Sequence, residues 1–213
     1  EFIRVFSSCI LRRAKPTAAS MLAEITQSIN GAWRIARKDE NALNYFNMSI
    51  EGFWRSFLAV LIVVPLYIVF LVLNLGQLSG MELPTGSATS KEFYVAIKLA
   101  AHILGWLAFP VVMIPISRLM DLSQNYVPYI IVWNWSNVLV MAVILPAVLL
   151  FPPSAQSGQS AKLILMAAQI TVLFYGYLVA RAGLQCKILT AIGVVMLDLL
   201  LGLLFNLLAG RLL

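Results

Sequence analysis

Residues 56–75, SFLAVLIVVPLYIVFLVLNL, decide the fold, because they form a long apolar run without a charged side chain. A transmembrane α-helix needs about 20 predominantly apolar residues to cross a hydrocarbon core of about 30 Å. Four further segments of this kind follow, at about 93–116, 127–151, 161–181 and 188–209. The sequence therefore predicts an all-α fold, a polytopic membrane helical bundle of five transmembrane helices within residues 56–213.

The composition supports the same fold class. Of the 213 residues, 61% are hydrophobic and 11% are charged, whereas soluble domains are about 45–50% apolar and about a quarter charged. The excess apolar surface has to face lipid, so the chain is predicted to be an integral membrane protein. We attribute the net charge of +6 to membrane topology and to contact with anionic lipid headgroups. No nucleic-acid partner is predicted.

The segment before the first span divides into two parts. Residues 1–20 have no steady period and are expected to be a non-native or upstream leader, because a helical pattern begins at Met21. Residues 21–38, MLAEITQSINGAWRIARK, predict an amphipathic helix, followed by a polar connector that ends at residue 55. The helix either lies in the membrane interface or docks on the cytoplasmic face of the protein itself. Anionic headgroups are expected near Arg34, Arg37, Lys38 and Arg55.

The distribution of lysine and arginine predicts the orientation. More of these residues fall at the end of the bundle where the chain enters the membrane than at the opposite end. The positive-inside rule then puts the N-terminus in the cytoplasm, and an odd number of spans puts the C-terminus outside. The short loops favour a bacterial inner membrane.

Motifs of enzymes and metal sites do not occur in the sequence. The chain has one histidine, and the motifs of α/β-hydrolases, zinc proteases, P-loop proteins and dinucleotide-binding proteins are missing. Cys9 and Cys186 fit neither a disulfide framework nor a metal-ligand spacing. We therefore expect neither enzymatic activity nor a cofactor or metal.

The segment VVMLDLLLG, residues 194–202, places Asp198 near the centre of the fifth span. An ionised carboxylate at this depth costs roughly 2.5–3.5 kcal/mol on insertion scales, so Asp198 is expected to face protein. Counting by fours from Asp198 reaches Gly202, Asn206 and Gly210, which lie on one helical stripe. Small residues permit close helix approach and polar residues hydrogen-bond across the contact. The stripe thus predicts a helix-packing face containing Gly202 and Gly210.

Depth along the helices suggests partners for Asp198. His102 on the second span and Gln169 on the fourth lie at a similar depth, and all three are expected to meet near the midplane. In the third span, Asn134 and Asn137 extend this intramembrane polar cluster. Two interpretations remain open. The cluster is either a structural latch between helices or a proton- or ion-coupled site that uses Asp198 and His102.

The same part of the third span, VWNWSNV at 132–138, contains two tryptophans. Tryptophan is enriched at the membrane–water interface, where its amphipathic ring lies at the level of the headgroups. Trp133 and Trp135 are therefore expected to be interfacial anchors.

The last two spans, YGYLVARAGLQCKILTAIGVVMLDLLLGLLFNLLAG at 175–210, resemble the end of the Yip1 domain family. The order of a polar N-terminal segment and five closely spaced spans is similar over about residues 50–213. The resemblance implies a bacterial-type member that acts as a membrane scaffold or partner-binding protein, with a protein partner or a homo-oligomer; eukaryotic members act in vesicle trafficking with small GTPases. The alternatives are a small proton- or ion-coupled transporter or channel subunit and, less favoured, a lipid-modifying enzyme.

Overall fold

The computed structural model describes residues 18–78, 90–150 and 159–213, and within these ranges the chain is helical and contains no strand. The helices are α1 (Ala18–Ala36), α2 (Ile50–Ser56), α3 (Leu58–Leu78), α4 (Lys91–Leu119), α5 (Ser123–Leu150), α6 (Gln159–Leu184) and α7 (Ile188–Leu212). A short 3-10 turn, Ala42–Tyr45, lies between α1 and α2.

Five stretches are long and apolar enough to cross a membrane. They are Ile50–Leu73, which joins α2 to most of α3, Lys91–Leu119, Ser123–Leu150, Lys162–Leu184 and Ile188–Leu212. The predicted fold class, an all-α bundle with five membrane-spanning helices, is confirmed. The second span begins two residues earlier than predicted because Ser90 caps α4, its hydroxyl accepting a hydrogen bond of 3.2 Å from the Phe93 N–H.

Helix α5 is the centre of the bundle. It packs extensively against every other described helix except α7. Half of its most apolar 18-residue stretch is buried, compared with 11–22% in the other four spans. Residues 129–136 are all buried, on every side of the helix. Trp133 and Trp135 belong to this segment, so their predicted role as interfacial anchors is wrong. A helix that is buried on every side belongs to the interior of a bundle.

The other spans each expose a broad apolar face. Leu61 on α3, Val111 on α4 and Leu207 on α7 keep between 64% and 68% of their surface accessible. Such large apolar surfaces are rare on soluble monomers. These faces are the ones that contact lipid tails.

Helix α1 docks on the bundle instead of lying apart from it. Its buried face, with Ser28, Ala32 and Ile35, packs on α5 and α6. The hydroxyl of Tyr175 on α6 donates a hydrogen bond of 2.9 Å to the carbonyl oxygen of Ala32. These contacts confirm that α1 docks on the protein itself, and the cytoplasmic side of that face stays a prediction. Of the predicted leader at 1–20, residues 1–17 lie outside the described residues, and α1 begins at Ala18.

The two ends of the bundle differ in the elements that they carry. We call the end that carries α1, α2 and the loops at 120–122 and 185–187 the α1 end. Two contacts hold it together: the Tyr126 hydroxyl donates to the Pro110 carbonyl at 3.0 Å, and the Asn125 amide donates to the Leu184 carbonyl at 2.8 Å. The opposite end, where α4 and α6 begin, is called the far end.

Candidate functional site

A cavity of about 510 Å³ lies between α3, α4, α5 and α7, and we call it the main cavity. Its polar wall residues are Lys98, His102, Asn137, Asp198 and Asn206, and its aromatic ones include Tyr67, Trp106, Trp133 and Phe205. Pockets for small molecules have about this size, with mostly apolar walls and a few convergent polar groups. The cavity therefore has the composition of a binding site within the membrane.

Asp198 of α7 reaches the wall of the main cavity at mid-depth. Its Oδ2 accepts a hydrogen bond of 3.2 Å from the indole N–H of Trp133 on α5. No basic side chain forms an ion pair with it among the described residues. A buried carboxylate needs several hydrogen bonds or a cation to offset its lost hydration. Asp198 is thus only partly satisfied by the protein and faces cavity space.

His102 of α4 lines the same cavity. Its ring stacks on Tyr67, with ring centroids 4.0 Å apart, and meets Trp106 edge to face at 5.8 Å. Its Nε2 is buried, and no group in the described part of the chain forms a hydrogen bond with it. The structure therefore places His102 and Asp198 on one cavity, each with unused hydrogen-bonding capacity.

Lys98 and Asn206 lie in the part of the main cavity nearer the far end. The Lys98 ammonium donates a hydrogen bond of 2.6 Å to the side-chain oxygen of Asn206, and it also lies 5.8 Å from the centre of the Tyr94 ring. Asn206 follows Asp198 by eight residues, which corresponds to about 12 Å along the helix axis. The Lys98 ammonium therefore has a hydrogen-bond partner in Asn206, two helical turns away from Asp198 along α7.

A second cavity of about 170 Å³ lies between α5, α6 and α7. Gln169 lines this second cavity together with Ser136 and Tyr175, so it is separated from His102 and does not complete the expected three-residue cluster. Three residues belong to the walls of both cavities: Trp133, Asn137 and Asp198. Asp198 therefore lies at the boundary between the two cavities.

Asn134 supports the site from within the bundle without lining either cavity. Its side-chain oxygen accepts a hydrogen bond of 2.8 Å from the Trp106 indole, and its amide donates to the Ser56 hydroxyl at 2.8 Å. Asn137, one turn later, donates to the backbone carbonyl of Trp133 at 2.9 Å. Asn134 is a latch between α2, α4 and α5, and it fixes the indole that lies against His102.

The predicted helix-packing role of Gly202 and Gly210 needs correction. A Cβ atom built on either glycine meets no described atom within 4 Å. Gly202 instead lines the main cavity. The part of the stripe formed by Asp198, Gly202 and Asn206 therefore faces the main cavity. Because glycine has no side chain, Gly202 leaves space for a ligand there and does not bring a neighbouring helix closer.

The basic side chains at the α1 end are mostly engaged. Arg55 donates to Glu24 at 2.5 Å and also pairs with Glu51, so a lipid headgroup would have to compete with two carboxylates. Arg34 forms an ion pair of 2.6 Å with Asp39. A backbone hydrogen bond from Asn41, together with this arginine, lowers the pKa of Asp39 below its ordinary value. Arg37 and Lys38 are both exposed and form no ion pair with a described residue, so lipid headgroups near them stay a prediction.

Trp106 and Tyr67 are residues of the site that the sequence does not predict. A signal for Trp106 was present, since Lys98, His102 and Trp106 recur at intervals of four on α4 and therefore share one helix face. No such signal existed for Tyr67, because it occurs in a uniformly apolar span. No group of three or more His, Cys, Asp or Glu side chains that could hold a metal lies within residues 18–78, 90–150 and 159–213.

Comparison of the chain with protein-family models, with curated proteins and with solved structures finds no match. The site is therefore interpreted from its own geometry, and the resemblance to the Yip1 domain family stays a prediction.

Proposed function

We propose that this protein is a non-enzymatic membrane transporter of a small solute, or the solute-binding subunit of one, with Asp198 as its central binding residue. One observation carries the proposal: Asp198 lies between the main cavity and the second cavity and contributes to both walls. A transporter has to expose one binding group to the two sides of a membrane in turn. A carboxylate between two cavities is suited to that task.

The hydrogen bonds of Asp198 favour transport over a purely structural latch. A latch is expected to have a partner on each of its polar atoms, as Asn134 has, with bonds of 2.8 Å on both its oxygen and its nitrogen. Asp198 has one bond of 3.2 Å from Trp133. Because ionisable groups within membranes are costly and often mark substrate or ion pathways, an incompletely satisfied one suggests a role that a solute or a proton completes.

The proposal is tested by the accessibility of the two cavities to water-soluble reagents. Single cysteines are introduced by Gly202→Cys in the main cavity and Gly176→Cys in the second, where an added Cβ meets nothing closer than 3.7 Å. The background carries Cys9→Ser and Cys186→Ser. Leu203→Cys is the matched control, because Leu203 is next to Gly202 but is 48% exposed on the lipid face.

A membrane-impermeant, cationic methanethiosulfonate is then added to either side of sealed vesicles. We expect Gly202→Cys to react from one side, Gly176→Cys to react from the other, and Leu203→Cys to remain unmodified. A pathway that conducts a polar solute has to admit such a reagent. Inert thiols at both glycine positions would show that the cavities are closed to water and would contradict the transport proposal.

The second candidate is the scaffold or partner-binding role that the Yip1 resemblance implies. It is favoured by two exposed tryptophans at the α1 end, Trp33 at 55% and Trp54 at 69% accessible surface. Aromatic side chains are enriched in protein interfaces and at the membrane surface alike. If this candidate is right, the particle extracted from native membranes with an amphipathic polymer should have a mass greater than that of a monomer. The double variant Trp33→Ser, Trp54→Ser should give a particle of lower mass. A monomeric wild type would count against the scaffold.

Orientation and environment are part of the same proposal. We place the α1 end in the cytoplasm of a bacterial inner membrane, with an anionic headgroup near Arg37. Arg118 and Arg181 lie in the last turns of α4 and α6, and they add positive charge at this end. The exposed variant Glu40→Cys should be labelled by the impermeant reagent only when the reagent has access to the cytoplasmic side.

A further inference from the structure

We infer that the main cavity binds an organic cation with an apolar, preferably aromatic, body, and that the positive charge of this ligand lies beside Asp198. The inference rests on the proposed function, because it names the class of solute for the same site. Three features carry it: the charge available at Asp198, the aromatic wall around it and the size of the cavity, to which the His102 ring also contributes a wall.

The charges in the main cavity favour a cation at mid-depth. Asp198 has no described cationic partner, and its single hydrogen bond comes from a neutral indole. The Lys98 ammonium is bonded to Asn206, which lies about 12 Å further along α7. Because Coulomb energy falls with the inverse of distance, a cation in contact with the Asp198 carboxylate is attracted more strongly than it is repelled by an ammonium held beside Asn206, two helical turns further along α7. An anion beside Asp198 would be repelled by the carboxylate.

The wall around Asp198 is aromatic. The Trp133 indole donates the hydrogen bond to the carboxylate, and its ring centroid lies 5.7 Å from that of Trp106. The Tyr67 ring stacks on His102. Aromatic rings attract cations through their negative faces, and this attraction is stronger in a desolvated site. The same rings offer apolar contact to the body of the ligand. A carboxylate within such a wall matches a lipophilic cation better than a sugar, a phosphate or a bare metal ion.

His102 adds a third contact point. Its buried Nε2 is without a hydrogen-bond partner among the described residues and belongs to a ring on the same wall. This nitrogen has almost no accessible surface, so His102 contributes its ring, stacked on Tyr67, to the wall that contacts the ligand. The cavity volume of about 510 Å³ fits a molecule of drug size.

The sign of the preferred charge is tested with tetraphenylphosphonium and tetraphenylborate, two ions of nearly the same shape and opposite charge. Binding to purified protein in neutral detergent is followed by intrinsic tryptophan fluorescence, since Trp106 and Trp133 line the main cavity. Each ion is titrated separately against wild type, Asp198→Asn and Asp121→Asn. The last variant is the matched control, because it makes the same chemical change in the loop after α4.

We expect wild type and Asp121→Asn to bind tetraphenylphosphonium at least tenfold more tightly than Asp198→Asn does. Tetraphenylborate should bind more weakly than its cationic counterpart, and its binding should not weaken in Asp198→Asn. A second variant, Gly202→Phe, keeps every charge and fills the cavity from a position with open space around it. It should also lose tetraphenylphosphonium binding, so the test does not depend on the folding of Asp198→Asn alone.

Two results would overturn the inference, and they differ in what they say about the site. If tetraphenylborate binds more tightly and Lys98→Gln removes that binding, the ligand class is wrong while the cavity remains a solute site. If neither ion binds above protein-free micelles, or Asp198→Asn and Gly202→Phe both bind like wild type, the cavity takes no lipophilic cation. The cysteine accessibility of Gly202 and Gly176 then decides separately whether the transport proposal survives.

Discussion

The indole nitrogen of Trp106 on α4 lies 2.8 Å from the side-chain oxygen of Asn134, which has no exposed surface at the centre of α5. The amide nitrogen of the same asparagine bonds to Ser56, so one side chain joins three helices. Within a bundle, such a saturated polar residue fixes helix rotation, because any other rotation leaves polar groups without partners.

Asn134→Ala is therefore expected to destabilise the protein by about 2 kcal/mol, since it leaves the Trp106 indole N–H unpaired in the interior and removes the hydrogen bond that the Ser56 hydroxyl accepts. For a chain of this size, the melting temperature in detergent should fall by about 4–8 °C. Asn137→Ala is the control, because among the described residues the Asn137 amide bonds within its own helix, to the Trp133 carbonyl. An equal loss of stability in the two variants would contradict the latch assigned to Asn134.

A second prediction concerns the close approach of α5 and α6. A Cβ atom built on Gly183 lies 2.9 Å from the Cα of Tyr129, which is backbone and cannot move aside cheaply. Gly183→Ala should destabilise the protein by roughly 1–3 kcal/mol, the usual cost of overpacking. Gly210→Ala, whose Cβ meets no described atom, should be neutral or more stable by about 0.5–1 kcal/mol. Thermal unfolding of both variants measures the difference, and a destabilised Gly210→Ala would restore the packing role first predicted for that glycine.

The sequence predicts the number of spans, and it predicts that His102 and Asp198 lie near each other, as they do on the wall of the main cavity. Runs of about 20 apolar residues have one physical explanation, and depth counting related His102 to Asp198 because the rise per residue of a helix is fixed. What depth cannot supply is rotation about the helix axis. Gln169 has the expected depth but faces the second cavity, and so it does not meet His102.

Rotation was unpredictable because lipid-facing and buried positions are both apolar in a membrane protein. The hydrophobic pattern that orients a helix in a soluble domain is weak in these spans. For the same reason, Trp133 and Trp135 were assigned to the interface although they lie in the interior. Gly202 and Gly210 suggested close packing, yet small residues equally leave room for a cavity. Polar contacts between helices, such as that of Asn134, resolve these alternatives only when the fold is known.

A pH-dependent change is expected at the end of α1. The Asp39 carboxylate accepts hydrogen bonds from the Asn41 N–H at 2.9 Å and from Arg34 at 2.6 Å, which lower its pKa below the ordinary 3.8. A lowered pKa means that the stabilisation is fully present above pH 3.8 and is lost as the pH falls through the lower pKa of the folded state. Amide exchange of Asn41, divided by its rate in Asp39→Asn, reports this change.

The ratio of exchange rates cancels the intrinsic pH dependence of exchange. Wild type should show slower exchange than Asp39→Asn at pH 5 and above, and the two should converge as the pH falls well below 3.8. A ratio that stays constant across this range would show that the carboxylate does not order the turn.

The last prediction separates the structural and lipid-binding arginines at the α1 end. Arg55 joins α1 to α2 by contacting Glu24 and Glu51, and its side chain is only 19% exposed. Arg55→Gln should destabilise the protein by about 2 kcal/mol, because a neutral glutamine cannot replace the charge-assisted hydrogen bonds that the guanidinium donates to Glu24 and Glu51. Arg37 is exposed, so Arg37→Gln should leave the melting temperature unchanged and reduce the amount of phosphatidylglycerol retained in native mass spectra. If Arg55→Gln loses lipid but keeps its stability, Arg55 binds a headgroup, and its contacts with Glu24 and Glu51 do not hold α1 in place.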